Sequence, residues 1–142
     1  MIRQRVRIRF GKQDDLRWIS HRDLVRVFER LLRRAGLPLS MSEGFHPKAR
    51  MSFPSALALG IEGQGEVMEL ELAERMEAAD LQARLQELAP PGLRIEHVEM
   101  LPDGTKKAQI VAQTYEFAVP RERRASVQEA IRHVMAQSSM PL

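Results

Sequence analysis

The stretch Ile2-Arg-Gln-Arg-Val-Arg-Ile-Arg-Phe10 alternates between apolar and basic side chains along most of its length. A period of two residues is typical of a strand that is buried on one face and exposed on the other. The two faces carry Ile2, Val6, Ile8 and Phe10 on one side and Arg3, Arg5, Arg7 and Arg9 on the other. Residues 2–10 therefore predict a half-buried strand whose exposed face is a ladder of arginines.

The next regular segment predicts a helix that begins at Ser20. Ser20 is a suitable N-cap, and Asp23 follows three residues later as in a capping box. A helical stripe of apolar residues comprises Leu24, Val27, Phe28, Leu31, Leu32 and Ala35. Gly36 is a favourable residue to end the helix, and Pro38 prevents it from continuing.

The remaining pattern predicts three more strands, at residues 51–59, 66–72 and 93–101, and a helix before the last of them. Pro54 has no N–H to donate, so we expect strand 51–59 at a sheet edge. The order βαββαβ defines an α+β, ferredoxin-like fold: an antiparallel sheet with the first strand central and both helices on one face. We expect residues 1–102 to form this domain.

Residues 103–142 predict a polar loop, a strand at Tyr115–Val119 and a helix at 125–137. This closing β-α pair has no partners in a four-stranded ferredoxin-like sheet. We therefore expect that it begins a second, similar half and that the chain is a piece of a longer protein; the alternative is that the chain pairs with a partner.

Charge is unevenly distributed along the chain. Residues 1–50 contain 13 Lys and Arg against 5 Asp and Glu, whereas residues 51–142 contain 9 against 14. A basic N-terminal half indicates a polyanionic partner, with RNA or another nucleic acid first. The alternative is that the basic half packs on the acidic half and neutralises it.

The arginine ladder is the clearest candidate for nucleic-acid contact. Its side chains are spaced by ~6.6 Å, which suits successive phosphates. Glu69 and Glu71 are expected on the neighbouring strand, so cross-strand ion pairs could absorb part of the charge. The residues that we expect to contact RNA are Arg3, Arg5, Arg7, Arg9, Arg22, Lys48 and Arg50. Because the ladder carries no aromatic side chain, binding would depend on charge rather than on base stacking.

The polar stretch at residues 40–53 is a second candidate site. Gly44 permits a positive φ, and Pro47 restricts His46 to an extended conformation. With Lys48 and Arg50 nearby, we expect the stretch to form an anion site. The alternative is structural, because a connection from helix to strand needs Gly and Pro in any case.

His21 and His46 are the candidates for general acid–base catalysis, against the alternative that both are inert. The chain has no cysteine and its histidines lack the short spacing of metal ligands, so we expect no metal and no cofactor. Apolar runs are too short to span a bilayer and the first residues do not resemble a signal peptide. These features predict a cytoplasmic protein that does not associate with membranes.

Several short motifs, read together, carry a family resemblance. They are Arg7–Phe10, Leu16–His21, Asp23-Leu24, Glu29-Arg30, Leu32–Ala35, Leu37-Pro38, Ser42–Pro47 and Leu59-Gly60. In this combination the sequence resembles the radical-SAM-linked domain family, whose function is unknown and whose members are fused to, or encoded beside, radical SAM proteins. The positions at which the resemblance is most regular are Ser20, His21, Asp23, Arg30, Ser42, Gly44, Phe45, His46 and Pro47. Arg22 stands where an apolar residue is common in that family.

The resemblance implies a radical SAM protein as partner and assigns no catalytic residue. The chain lacks the Cys-x-x-x-Cys-x-x-Cys motif, so the iron–sulfur cluster would belong to the partner. We expect an RNA-binding or substrate-presenting module for RNA modification, without catalysis of its own. The alternatives are a metal-independent endoribonuclease, similar in outline to CRISPR RNA-processing proteins, and a scaffold that only docks proteins.

Overall fold

The computed structural model describes residues 3–137 and contains one open, four-stranded antiparallel sheet and three α-helices. The elements are β1 (Gln4–Lys12), α1 (His21–Arg34), β2 (Met51–Ser52), β3 (Gly63–Leu72), α2 (Ala78–Leu88), β4 (Leu93–Leu101) and α3 (Arg124–Met135). The order of the strands in the sheet is β2-β3-β1-β4. The predicted first strand is therefore central, although Ile2 lies outside the described residues.

One face of β1 supplies the centre of the hydrophobic core. Ile8 pairs with Met68 of β3 and with Val98 of β4, and all three side chains are buried. Phe28 of α1 and Leu85 of α2 belong to the same buried cluster. Because both helices pack into one cluster with the apolar face of β1, they cover the same side of the sheet.

Local capping explains the limits of α1. The Ser20 hydroxyl accepts a hydrogen bond from the N–H of Asp23 at 3.2 Å, as the sequence predicts for an N-cap. Gly36 follows the helix with a φ of 64°, a conformation that favours glycine. The predicted start and end of this helix are confirmed.

The second strand is much shorter than predicted. Only Met51–Ser52 pairs with β3, at the sheet edge, and residues 53–62 are irregular. Pro54 has no N–H for a strand ladder, which is the physical reason for the early end. The edge of β3 is extended by other residues, because Ser40 donates to the carbonyl of Glu71 at 3.0 Å and Glu71 donates to the carbonyl of Arg50 at 3.0 Å.

The chain divides into two compact units, Met1–Ile110 and Val111–Leu142. The second unit contains the helix α3, none of whose residues is buried. The predicted strand Tyr115–Val119 is wrong, since this segment is irregular and exposed except for the partly buried Val119. A strand needs a neighbour for its backbone N–H and C=O groups, and no strand lies in the described part of this unit. Residues 138–142 of the predicted extension lie outside the described residues.

Among the described residues, no helix combines the length and the apolar character needed to cross a membrane.

Candidate nucleic-acid interface

The face of the sheet opposite the helices carries the arginine ladder. Arg5 and Arg7 of β1 lie across from Glu71 and Glu69 of β3. Arg9 lies across from Val67 and is exposed. The ladder and the predicted carboxylates therefore share one surface, which we call the open face.

Glu69 binds two arginines of the ladder at once. Its side chain is nearly buried, and one of its oxygens (Oε2) lies 3.3 Å from Nη2 of Arg5 and 3.3 Å from Nη2 of Arg7. The other oxygen (Oε1) accepts a hydrogen bond from the N–H of Ala108 at 2.8 Å. Both oxygens of this carboxylate are thus occupied within the protein.

A segment at residues 102–108, which includes the beginning of the predicted polar loop, lies against the open face. Arg5 donates a hydrogen bond to the carbonyl of Thr105, and Arg7 donates to the carbonyl of Lys106 at 3.3 Å. This segment, which we call the covering segment, contains two lysines, Lys106 and Lys107, and Lys107 lines a space beside Arg5. The charge of the open face therefore does not come from β1 alone.

A pocket of about 270 Å³ opens between the sheet edge and the covering segment. Its lining residues are Arg5, Arg50, Met51, Ser52, Glu69, Leu70, Glu71 and Lys107. Two of the residues predicted to contact RNA, Arg5 and Arg50, meet in this space, which we call the sheet-face pocket.

Glu71 is only loosely paired at the sheet-face pocket. Its Oε2 lies 3.9 Å from Nη1 of Arg3 and 4.0 Å from Nε of Arg50, which is too long for hydrogen bonds. Oε2 of Glu71 and Nε of Arg50 are both shielded from solvent and have no hydrogen-bond partner among residues 3–137. These two atoms are therefore buried neighbours in a loose ion pair rather than groups that are open to the pocket.

The stretch at residues 40–53 forms a short hairpin that extends the sheet edge. Ser42 donates to the carbonyl of Lys48 at 2.7 Å, and the Ser42 hydroxyl accepts from the N–H of Lys48 at 3.0 Å. Gly44 has a φ of 125°, as its predicted conformation requires. Phe45, at the tip, is fully exposed, and the neighbouring His46 and Pro47 are exposed as well.

The hairpin separates the basic residues that the sequence groups together. Arg50 is held at the sheet by its backbone hydrogen bonds and lines the sheet-face pocket. Lys48 lines a different pocket, of about 320 Å³, between the hairpin and α1, together with Met41 and Pro47. His46 lines neither pocket. The geometry thus joins Arg50 to the ladder rather than to His46 and Lys48.

The other predicted site residues lie at the beginning of α1. His21 packs edge-on against Phe53 with the ring centroids 5.1 Å apart, and its Nδ1 is shielded from solvent. Arg22 is exposed. The ring of His21 therefore packs on Phe53, which is itself partly buried against the core. His46, by contrast, lies at the exposed hairpin tip.

Lys12, which the sequence predictions do not include, is fully buried at the end of β1. Its Nζ donates a hydrogen bond to the carbonyl of Ile19 at 2.8 Å. Burial lowers the pKa of Lys12, and the nearby Glu66 opposes this shift only in part. Burial also raises the pKa of Glu66, with a further contribution from Glu96. The alternation of β1 places position 12 on the apolar face, and that parity is the signal that could have identified it.

Trp18 is a second residue that the sequence did not mark for function. The residue is 55% exposed, and the guanidinium carbon of Arg17 lies 4.9 Å from the centroid of its ring. Arg17 is also paired with Glu62 at 2.6 Å. Among the described residues, no group of three or more His, Cys, Asp or Glu side chains could hold a metal ion.

Fold and site together define a small α+β protein whose antiparallel sheet is covered by helices on one face and presents a basic face on the other. Residues 5–142 match a family described as uncharacterized protein conserved in bacteria (DUF2344), and the chain belongs to this family. No curated protein matches the chain. The family match names neither a partner nor a reaction, so association with radical SAM proteins stays a prediction.

Proposed function

We propose that the protein is an accessory module that binds RNA through its open face and presents it to a radical SAM enzyme for modification. The surplus of positive charge on this face carries the proposal. The face and its covering segment contain eight cations: Arg3, Arg5, Arg7, Arg9, Arg50, Arg94, Lys106 and Lys107. They contain five carboxylates: Glu69, Glu71, Glu96, Glu99 and Asp103.

Ion pairs within the protein occupy some of these cations and leave the others for a ligand. Glu69 occupies Arg5 and Arg7, so these two arginines also have a structural role. Arg9, Lys106 and Lys107 make no ion pair through their side chains within residues 3–137. Cations of this kind bind phosphates and release counterions from RNA, which gives affinity without sequence preference. We therefore expect Arg9 and the two lysines to provide most of the salt-dependent binding.

The partner and the setting rest on the sequence resemblance. The motifs Leu16–His21 and Ser42–Pro47 support a radical SAM protein as the partner. The absence of cysteine is consistent with an accessory role in which the partner holds the iron–sulfur cluster. We assign the βαββαβ unit to the ferredoxin-like class, which the strand order β2-β3-β1-β4 supports. We also place the reaction in the cytoplasm.

The test is binding and cleavage of bulk tRNA by the purified protein at about 50 mM and about 200 mM salt. If three cations contact phosphates, the affinity should fall by about 10–50-fold between the two conditions, and the RNA should stay intact. Arg9→Gln should weaken binding and reduce the salt dependence. Arg26→Gln removes the same charge from the exposed surface of α1 and is the matched control.

Two outcomes would contradict the proposal. Cleavage of the tRNA without added metal would favour the endoribonuclease hypothesis, with His21 and His46 as the candidate catalytic residues. Absence of binding at the lower salt concentration, combined with stable association with a radical SAM protein, would favour a scaffold that only docks proteins.

A further inference from the structure

We propose that the protein forms a symmetric dimer in which Phe45 of each copy enters a pocket of the other copy. Phe45 lies at the hairpin tip, and its side chain is as open to solvent as in an extended chain. The pocket is the space of about 320 Å³ between the hairpin and α1, which we call the hairpin pocket. It shares no lining residue with the sheet-face pocket, so the inference does not depend on RNA binding.

The hairpin presents Phe45 on an ordered support. A backbone bridge joins Met41 to Ala49, and two hydrogen bonds join Ser42 to Lys48 closer to the tip. Because the support is already in place, the aromatic side chain loses little conformational entropy when it binds. Rigid aromatic side chains are the usual anchors of protein interfaces for this reason.

The hairpin pocket has the lining and the size for an aromatic ring. Its apolar lining residues are Leu32, Leu37, Leu39, Met41, Pro47 and Ala49. Its volume is at the lower end of the range for small-molecule sites, which suits a single ring. Pro47 lines the pocket two residues after Phe45, so the anchor and the pocket are neighbours at the hairpin. A surface that carries both is complementary to itself, as a two-fold interface requires.

The hairpin tip and the hairpin pocket also differ in charge. Glu43 lies two residues before Phe45 at the exposed tip. The pocket is lined by Arg33, Lys48 and Glu29, which leave it with a net charge of +1. None of these four charged side chains makes an ion pair within residues 3–137. A tip that enters the pocket of another copy therefore brings a carboxylate to a site with a surplus of positive charge.

A second copy of the chain supplies all of these features together. It offers an aromatic ring and, two residues before it, the carboxylate of Glu43. An RNA strand at this surface would be repelled by Glu29 and Glu43, and a small apolar ligand would leave Phe45 exposed to water. The two-fold arrangement buries both aromatic rings and occupies both pockets.

The proposal is tested by sedimentation equilibrium of the purified protein over a wide range of concentrations. We expect a reversible equilibrium between monomer and dimer. Phe45→Ala should weaken the association by about 30-fold or more, as the loss of a central aromatic anchor does. Phe117→Ala makes the same substitution at an exposed position of the second unit and should leave the association unchanged. Thermal denaturation of the dilute protein should not change in Phe45→Ala, because the ring is fully exposed in the monomer.

Charge reversal tests the contact between tip and pocket directly. Glu43→Lys and Lys48→Glu should each weaken self-association by about 10-fold, because each places like charges at both contacts of the dimer. An equal mixture of the two variants should associate about as tightly as the native protein. In the mixed dimer, each tip meets a pocket whose residue 48 has the opposite charge.

Four outcomes would overturn the inference. A protein that stays monomeric at every concentration would leave Phe45 for a partner of different sequence. A dimer that Phe45→Ala does not weaken would place the interface elsewhere. An equal loss in Phe117→Ala would mean that exposed aromatic surface in general drives the association. A mixture of Glu43→Lys and Lys48→Glu that associates no better than either variant alone would show that tip and pocket do not meet between copies.

Discussion

On one face of β1, Val6, Ile8 and Phe10 are at most 2% exposed and pack against apolar side chains from two helices. On the other face, Arg5 and Arg7 are partly exposed and both depend on a single carboxylate, that of Glu69. The apolar face is stabilised by many contacts of similar kind, whereas the basic face is organised by a few specific ones. Substitutions on the apolar face should therefore disturb packing, whereas substitutions on the basic face should disturb specific ion pairs and hydrogen bonds.

The difference shows why the basic face tolerates its charge. Each arginine of a ladder repels its neighbours, and a partly buried carboxylate is costly unless it is paired. The carboxylate of Glu69 and the carbonyls of Thr105 and Lys106 offset the repulsion between Arg5 and Arg7. The two arginines in turn supply the partners that the carboxylate of Glu69 needs. Arg9 lies beyond this arrangement and is exposed. We infer that the paired part of the ladder supports the fold and that the unpaired part is available to a ligand.

The apolar face should give the largest loss of stability. Phe28 is completely buried and packs edge-on against Phe10, with the ring centroids 4.9 Å apart. Phe28→Ala should lower the free energy of unfolding by about 3–5 kcal/mol, because it leaves a cavity that the core cannot fill. Urea denaturation measures this loss. A loss below about 1 kcal/mol would mean that the two helices do not share a well-packed core with the sheet.

Glu69 should give the largest effect on the basic face. Glu69→Ala leaves Arg5, Arg7 and the N–H of Ala108 without their common acceptor. We expect a loss of about 2–3 kcal/mol in the free energy of unfolding, because charged groups would lose a nearly buried partner.

Glu99→Ala is the matched control for Glu69→Ala, since Glu99 of β4 is an exposed carboxylate on the same open face of the sheet. This change should alter the free energy of unfolding by no more than about 0.5 kcal/mol. Similar losses for both variants would show that Glu69 does not organise the ladder. Amide hydrogen exchange at Ala108 gives an independent readout, since its protection should disappear only in Glu69→Ala.

Lys12 offers a test by pH, because it is a charged group on the apolar side of the sheet. Its pKa in the folded protein lies below 10.5, so between that lowered pKa and 10.5 the unfolded chain binds a proton that the folded chain does not. The free energy of unfolding should therefore rise with pH across this window. Lys12→Met should abolish the rise, as urea denaturation at about pH 7 and about pH 10 would show. An equal rise in both proteins would assign it to other groups.

Glu66 should show the opposite dependence in the acid range. Its pKa in the folded protein lies above 4.5, so the folded state binds more protons than the unfolded state between 4.5 and the raised value. Stability should increase as the pH falls through this window, and Glu66→Gln should remove the increase. Arg9→Gln, on the open face, is a control that should leave the acid dependence unchanged.

The hairpin tip should have the smallest effect on stability. His46 and Lys48 are exposed, so the double substitution His46→Ala/Lys48→Ala should change the free energy of unfolding by no more than about 0.5 kcal/mol. Thermal denaturation measures this directly. A loss of several kcal/mol would indicate that the hairpin tip is a packed part of the fold rather than an exposed loop.

Periodicity in the sequence was sufficient to predict the central strand and the first helix. The alternation of residues 2–10 and the capping signals at Ser20 and Gly36 are local, and the structure contains the strand and helix that they predict. The failures were the long second strand and the strand at Tyr115–Val119. Both depend on whether a neighbouring strand is present, and no local pattern contains that information.

The site was only partly predictable for the same reason. The ladder and its pairing with Glu69 and Glu71 follow from parity along two strands. The contribution of the covering segment could not be foreseen, because Thr105 and Lys106 reach the ladder through backbone carbonyls, which every residue type has. The meeting of Arg50 with Arg5 and Lys107 also depends on how the hairpin returns to the sheet.

The most direct measurement of the role of the open face is the salt dependence of RNA binding by two triple variants. Arg9→Gln/Lys106→Gln/Lys107→Gln removes the cations that make no ion pair within residues 3–137. Arg26→Gln/Arg33→Gln/Arg34→Gln removes the same charge from the exposed surface of α1. The first variant should flatten the slope of log K against log salt by about 2–3, and the second should leave it unchanged. Equal slopes in the two variants would contradict a binding surface on the open face.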